Sequence, residues 1–123
     1  MTFNSELLIK AENLGLKEKA LSIVGVSLDN SIEADLAIGA DFLNGMEKAE
    51  IIFQFDRYEL HVGREKMTDV IRTRIGLYLK DEKDTWVNNL EPIGFYELET
   101  DLNGVILDDY LRIEKEKTRA NKA

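Results

Sequence analysis

Carboxylates are the side chains of this sequence most able to do chemistry, and their densest set lies near its C-terminal end. Over residues 93–114 the chain reads Ile-Gly-Phe-Tyr-Glu-Leu-Glu-Thr-Asp-Leu-Asn-Gly-Val-Ile-Leu-Asp-Asp-Tyr-Leu-Arg-Ile-Glu, two alternating runs divided by Asn103-Gly104. At the centre of a two-residue type I′ turn, where both residues take positive φ, Asn103 and Gly104 set the pairing of the two strands. Leu102 then opposes Val105, Thr100 opposes Leu107, Leu98 opposes Asp109 and Tyr96 opposes Leu111, giving a mostly apolar face. The other face collects Phe95, Glu97, Glu99 and Asp101 from one strand and Ile106, Asp108, Tyr110 and Arg112 from the other. Glu99 opposite Asp108 is a like-charge pair that costs about a few tenths of a kcal/mol unless water or a cation solvates it. The chemistry available to such a cluster is cation capture. Glu97, Glu99, Asp101 and Asp108 would receive the Lys and Arg side chains of a basic partner, with Phe95 and Tyr110 as apolar anchors beside them. The same face also reads, without any partner, as a solvated surface whose charges prevent aggregation. Asp109 falls on the apolar face and is expected to cap a turn or to bond a backbone amide.

Other chemistries are poorly supplied. Glu99, Asp101 and Asn103 at positions 1, 3 and 5, Gly104 at 6 and Ile106 at 8 make a segment that resembles an EF-hand loop. It departs from that pattern at position 12, where Tyr110 replaces the bidentate Glu that completes a calcium shell, and at position 1, where Glu replaces Asp. The flanks alternate with period two rather than reading as helices, so no metal or cofactor is expected. His61 is the single histidine, which excludes sites built from several histidines and routes any Ser-His-Asp arrangement through one residue. Carboxylate pairs can also serve glycosidase-type acid and base catalysis, but these lie on one flat hairpin. Arg57, Arg64, Lys66, Arg72 and Arg74 alternate with Glu59, Glu65 and Asp69 as a mixed charged surface, and no glycine-rich phosphate loop precedes a helix.

The elements that must position the hairpin follow from the rest of the chain. Its 123 residues are about one ordinary domain, with 44% hydrophobic and 33% charged residues and a single proline, the profile of a globular protein. Without cysteine there is neither a disulfide framework nor a thiolate, and the N-terminal sequence has no secretory pattern, so a cytoplasmic location is expected. The net charge of -8 argues against nucleic acid as a partner. Residues 112–123 carry five bases against two acids, which leaves the other 111 residues at -11.

Periodicity predicts a first helix after Asn4 or Ser5 carrying Leu7, Leu8, Ala11 and Leu14, ended by Gly15 as a left-handed cap. A second, over 16–24, gathers Leu16, Ala20, Ile23 and Val24 and stops at Gly25. A third starts at the capping oxygens of Asp29-Asn30-Ser31 and carries Ile32, Leu36, Ala40 and Leu43, with Gly39 as a close packing contact inside it. From residue 50 the period becomes two. Strands are expected over 51–55 and 58–62, around Asp56-Arg57, and over 70–80, followed by the terminal hairpin. Residues 81–91, with Trp86, form a polar connection or a poorly patterned strand.

The expected fold is therefore α+β, with two to three N-terminal helices on one face of an antiparallel meander of about five strands. It occupies 1–114 as one domain and ends in a charged tail over 115–123. The expected function is that of a non-enzymatic acidic protein-binding module, an inhibitor or immunity-type protein that neutralises a basic effector through the hairpin face. Two other classes compete with it. One is a small-molecule-binding or catalytic domain with a pocket between helices and sheet, and the other is a structural or oligomeric subunit.

Overall fold

The computed structural model describes residues 3–63, 69–81 and 89–114. Leu7, Ala11 and Leu14 recur on one side of helix α1 (Phe3–Asn13), and Gly15, at φ 65, turns the chain into helix α2 (Leu16–Ala37). Leu16, Ala20, Val24 and Leu28 form an unbroken i, i+4 seam along α2, and all four are fully buried. That seam carries the helix through Gly25, where a stop was expected. A glycine penalty of about 1 kcal/mol in a helix interior is smaller than the burial gained by continuing.

The third helix is not formed, and Asp29-Asn30-Ser31 lies inside α2 instead. Gly39 belongs to the end of α2, not to a helix interior. At φ 75 it lets its own N–H reach Leu36 O (3.1 Å) and the Ala40 N–H reach Asp35 O (2.8 Å), which satisfies two terminal carbonyls. Leu36 is consequently exposed, whereas Phe42, Leu43 and Met46 fold back onto the core.

A short 3-10 turn, Lys48–Glu50, leads into an antiparallel sheet of order β1-β2-β3-β4, formed by Ile52–His61, Val70–Lys80, Leu90–Thr100 and Ile106–Ile113. The fold is α+β with two helices and four strands among the described residues, the lower end of the two to three helices expected and one strand fewer than the expected five or so. The two short strands around Asp56-Arg57 are one strand with a register shift between Phe55 and Arg57. Two polar residues between Phe55 and Tyr58 would otherwise throw one of these aromatics onto the opposite face. An extra residue at the bulge keeps Phe53, Phe55, Tyr58 and Leu60 on the inner side.

The inner face of the sheet meets the helices. Ile71, Ile75, Leu77, Leu79, Ile93, Tyr96 and Leu98 are buried there, mostly against the α2 seam. Neither described helix is long and apolar enough to cross a membrane. Trp86 and the 115–123 tail lie outside the described residues, as does most of the 81–91 segment.

Candidate functional site

The terminal hairpin closes differently from a two-residue turn, and one side chain accounts for it. Asp101 Oδ1 accepts from the Asn103 N–H (2.8 Å) and the Val105 N–H (3.0 Å), while the Gly104 N–H reaches Asp101 O (3.1 Å). The loop is thus Leu102, Asn103 and Gly104, with positive φ at Gly104 (86°) and not at Asn103. This is the hairpin geometry of a tight turn followed by a left-handed residue. A second irregularity follows, because Thr100 opposes Ile106 while Glu99 opposes Asp108, which leaves Leu107 as an extra residue. The two irregularities together restore the expected pairing farther along, with Leu98 opposite Asp109 and Tyr96 opposite Leu111.

The outer face is therefore built from four strands rather than two. Glu59, Arg72, Glu99 and Asp108 make one transverse row, and Arg57, Arg74, Glu97 and Tyr110 make the next. Arg72 Nε donates to Glu99 Oε2 at 2.9 Å, and the bond and charge of Glu99 hold its guanidinium above the ordinary arginine range. The Arg74 guanidinium lies 3.6 Å from Asp56, 3.9 Å from Glu97 and 3.9 Å from the Phe95 ring centroid, while Arg57 binds both Asp56 (2.8 Å) and Glu59 (3.4 Å). A chain of alternating charge thus crosses three strands.

The six residues singled out in the sequence fall into different surroundings. Glu97 and Glu99 are paired with arginines and their side chains are only 12% and 15% exposed. Asp101 is committed to the loop backbone. Phe95 is half-buried under Arg74. Asp108 and Tyr110 remain exposed on β4, where the hydrogen bond and charge of Asp108, with a further contribution from the Glu99 charge, raise the Tyr110 phenol above its ordinary value. Asp108 Oδ1 also accepts from the Asp109 N–H at 2.8 Å. The oxygens of Glu99 and Asp101, which calcium-loop spacing would turn toward one ion, point to Arg72 and to backbone amides respectively.

The arginine ladder escaped the sequence reading because it depends on the β2–β3 register, which crosses a long connection. Its signal was nonetheless present, in Arg72 and Arg74 two apart on one strand and Glu97 and Glu99 two apart on another. Asp109 also has partners other than those expected, the Tyr96 hydroxyl (2.9 Å) and the Ser27 hydroxyl (3.3 Å). His61 sits on the outer face 3.9 Å from Glu59.

Two hollows bear on a small-molecule reading. One, of about 400 Å³, opens on the outer face over Gly76 and Gly94, between Tyr78, Phe95 and Arg74. The other, of about 260 Å³, lies between α1 and the β1 edge against Leu7, Leu8, Phe55 and Tyr58. The second is smaller than most ligand pockets and brings together no pair of titratable groups suited to acid and base chemistry. Comparison with known protein families, with curated proteins and with solved structures yields no match for this chain.

Proposed function

We propose that this chain is a non-enzymatic, cytoplasmic protein-binding module that captures a basic protein on the β3–β4 side of its outer sheet face, in the manner of an inhibitor or immunity-type protein. The observation that carries the reading is the division of labour on that face. Arg72 and Arg74 hold Glu97 and Glu99 in fixed positions, while among the described residues no arginine forms an ion pair with Asp108, and Tyr110 beside it is 46% exposed at the β4 margin. Among the described residues the helices pack on the inner face, so this surface is open to a partner. A net charge of -8 steers a cationic partner toward it, and an aromatic ring beside carboxylates provides the apolar contact that gives such an encounter lifetime.

Affinity capture from the native host at low and high salt tests the reading. A basic protein should be retained at low salt and released as salt rises. Asp108→Asn combined with Tyr110→Ala should weaken retention by at least about tenfold, while Asp29→Asn on the helical side should leave it unchanged. Retention that is indifferent to the β4 substitutions would show the proposed surface to be wrong.

A further inference from the structure

Among the described residues β4 is an edge strand, and the hydrogen bond at its end fixes which way its backbone groups point. The Glu114 N–H donates to Ile93 O (2.7 Å) in the register that sets Gly94 opposite Ile113. By the alternation of an antiparallel ladder, Asp108, Tyr110 and Arg112 then turn their N–H and C=O groups toward β3, and Asp109, Leu111 and Ile113 turn theirs away. The Asp109 N–H agrees, since it takes a side-chain oxygen of Asp108. Along this edge Ile106 and Leu107 are each 49% exposed. The other edge strand, β1, carries a charged bulge at Asp56 in its middle and has Lys17 of α2 over its Phe55 ring (5.5 Å), whereas β4 has its bulge at one end, at Leu107, and runs regularly from Asp108 to Ile113 with neither proline nor lysine.

We propose that the β4 edge is a self-association surface, on which two copies of the chain pair β4 with β4 antiparallel about a twofold axis at Tyr110. The two four-stranded sheets then become one sheet of eight strands. The occupant is a second copy because the strand is complementary to itself in one register. With Tyr110 opposite Tyr110 of the second copy, Asp108 faces Arg112 of that copy and Arg112 faces its Asp108. The outward amides of Asp109 and Leu111 meet as hydrogen-bonded pairs.

Sliding the copies by one pairing step in either direction removes the match. One shift sets Asp108 against Glu114 and the other sets Asp109 against Asp109, both like-charge contacts. Intermediate shifts pair outward-facing with inward-facing backbone groups and make no ladder. The interface is isologous, so it closes at two copies. It sets Arg112 of the second copy beside Asp108 and so competes with a basic partner for that carboxylate, but it does not depend on the capture reading, because self-pairing needs only the β4 edge.

Sedimentation equilibrium of the full chain over a concentration series gives the test. A reversible monomer–dimer equilibrium is expected. Asp108→Arg alone and Arg112→Asp alone should each weaken the dimer by about tenfold or more, and the double exchange should restore it. Circular dichroism of each variant separates loss of pairing from loss of fold. A second arm uses the absence of cysteine from the sequence. Opposed residues at a non-hydrogen-bonded antiparallel position have Cα atoms about 4.5 Å apart, within disulfide reach, so Tyr110→Cys should yield a covalent dimer under mild oxidation and Leu36→Cys should not. A chain monomeric at every concentration, a dimer indifferent to the single exchanges, or a double exchange that fails to restore association would overturn the proposal. So would a monomer whose β4 amides gain protection only when a different protein is added, since that protein would then own the edge.

Discussion

The Tyr96 hydroxyl donates to Asp109 Oδ2 at 2.9 Å from a side chain that is otherwise fully buried. Tyr96 is on β3 and Asp109 on β4, one diagonal step apart on the inner face, and Ser27 of α2 donates to the same oxygen at 3.3 Å. One carboxylate thereby joins the edge strand, its neighbour and the long helix, and resolves the conflict of an aspartate among apolar residues.

Alkaline unfolding follows from this contact. Burial first, then the hydrogen bond to Asp109 and its charge, push the Tyr96 phenol well above its ordinary value of 10.0. A raised folded value means that the neutral phenol is the form the native state prefers. The associated stability is fully present below pH 10, the unfolded value, and is lost progressively as pH rises from there toward the folded value. Tyr96→Phe should cost about 1 to 2 kcal/mol at neutral pH through the lost bond to a carboxylate, yet flatten the decline above the ordinary tyrosine range. Urea unfolding of both proteins at neutral and alkaline pH measures this, and equal alkaline slopes would count against it.

What could be read from the sequence depended on the range of the interaction that decides each feature. The α2 seam began as Leu16, Ala20 and Val24, local spacing on one helix face, and the period-two alternation of Ile71, Thr73, Ile75, Leu77 and Leu79 along β2 coincides with its buried side. The breaks were less legible. Gly25 and Asp29-Asn30-Ser31 are stop and start signals by propensity alone, and the long-range burial of Leu28 overrides them. Asn103-Gly104 favours a two-residue turn until the Asp101 carboxylate, two residues earlier, supplies two hydrogen bonds to another loop. For the candidate face, the residues were legible but not their state of pairing. Glu97 and Glu99 are neutralised by Arg72 and Arg74 across a strand boundary whose register the sequence does not encode locally.

The Asp101 carboxylate makes a separate prediction. Asp101→Ala removes two bonds to the Asn103 and Val105 amides and should destabilise the chain by about 1 to 2 kcal/mol, whereas Asp101→Asn keeps an acceptor and should recover most of the loss. Amide exchange should quicken first at Val105 and in the flanking β3–β4 ladder. Unchanged exchange there would mean that Gly104 alone sets the loop.

Arg72 and Glu99 should show measurable coupling in a double-mutant cycle of Arg72→Met and Glu99→Gln. Their contact is short and partly sheltered, with side chains 34% and 15% exposed, and a coupling of about 1 kcal/mol is expected. The Lys48–Asp29 pair joins side chains that are 44% and 52% exposed. Screening and side-chain entropy should reduce its coupling to about 0.3 kcal/mol or less. Equal values for the two pairs would remove the argument that the β2–β3 register, rather than the simple presence of opposite charges, holds the carboxylates of the outer face.

Gly94 and Gly76 lie close together on the sheet, yet substitution by alanine should affect them very differently. A Cβ at Gly94 would stand 2.1 Å from the carbonyl oxygen of Arg112 and 3.0 Å from the Ile113 Cα, both main-chain atoms of β4. Relief requires the edge strand itself to move, so Gly94→Ala should cost about 3 kcal/mol or more and weaken protection of the Glu114 amide, which bonds to Ile93 O. The three atoms nearest a Cβ at Gly76 all belong to the Tyr78 side chain, at 2.5 to 2.7 Å. That ring can rotate away into the outer-face hollow, which it helps to line, and the expected cost is about 1 kcal/mol or less. Denaturant midpoints of the two variants decide the matter. Comparable losses at both sites would mean that β4 yields as readily as a side chain, and that the close approach at Gly94 does not hold the end of the edge strand in place.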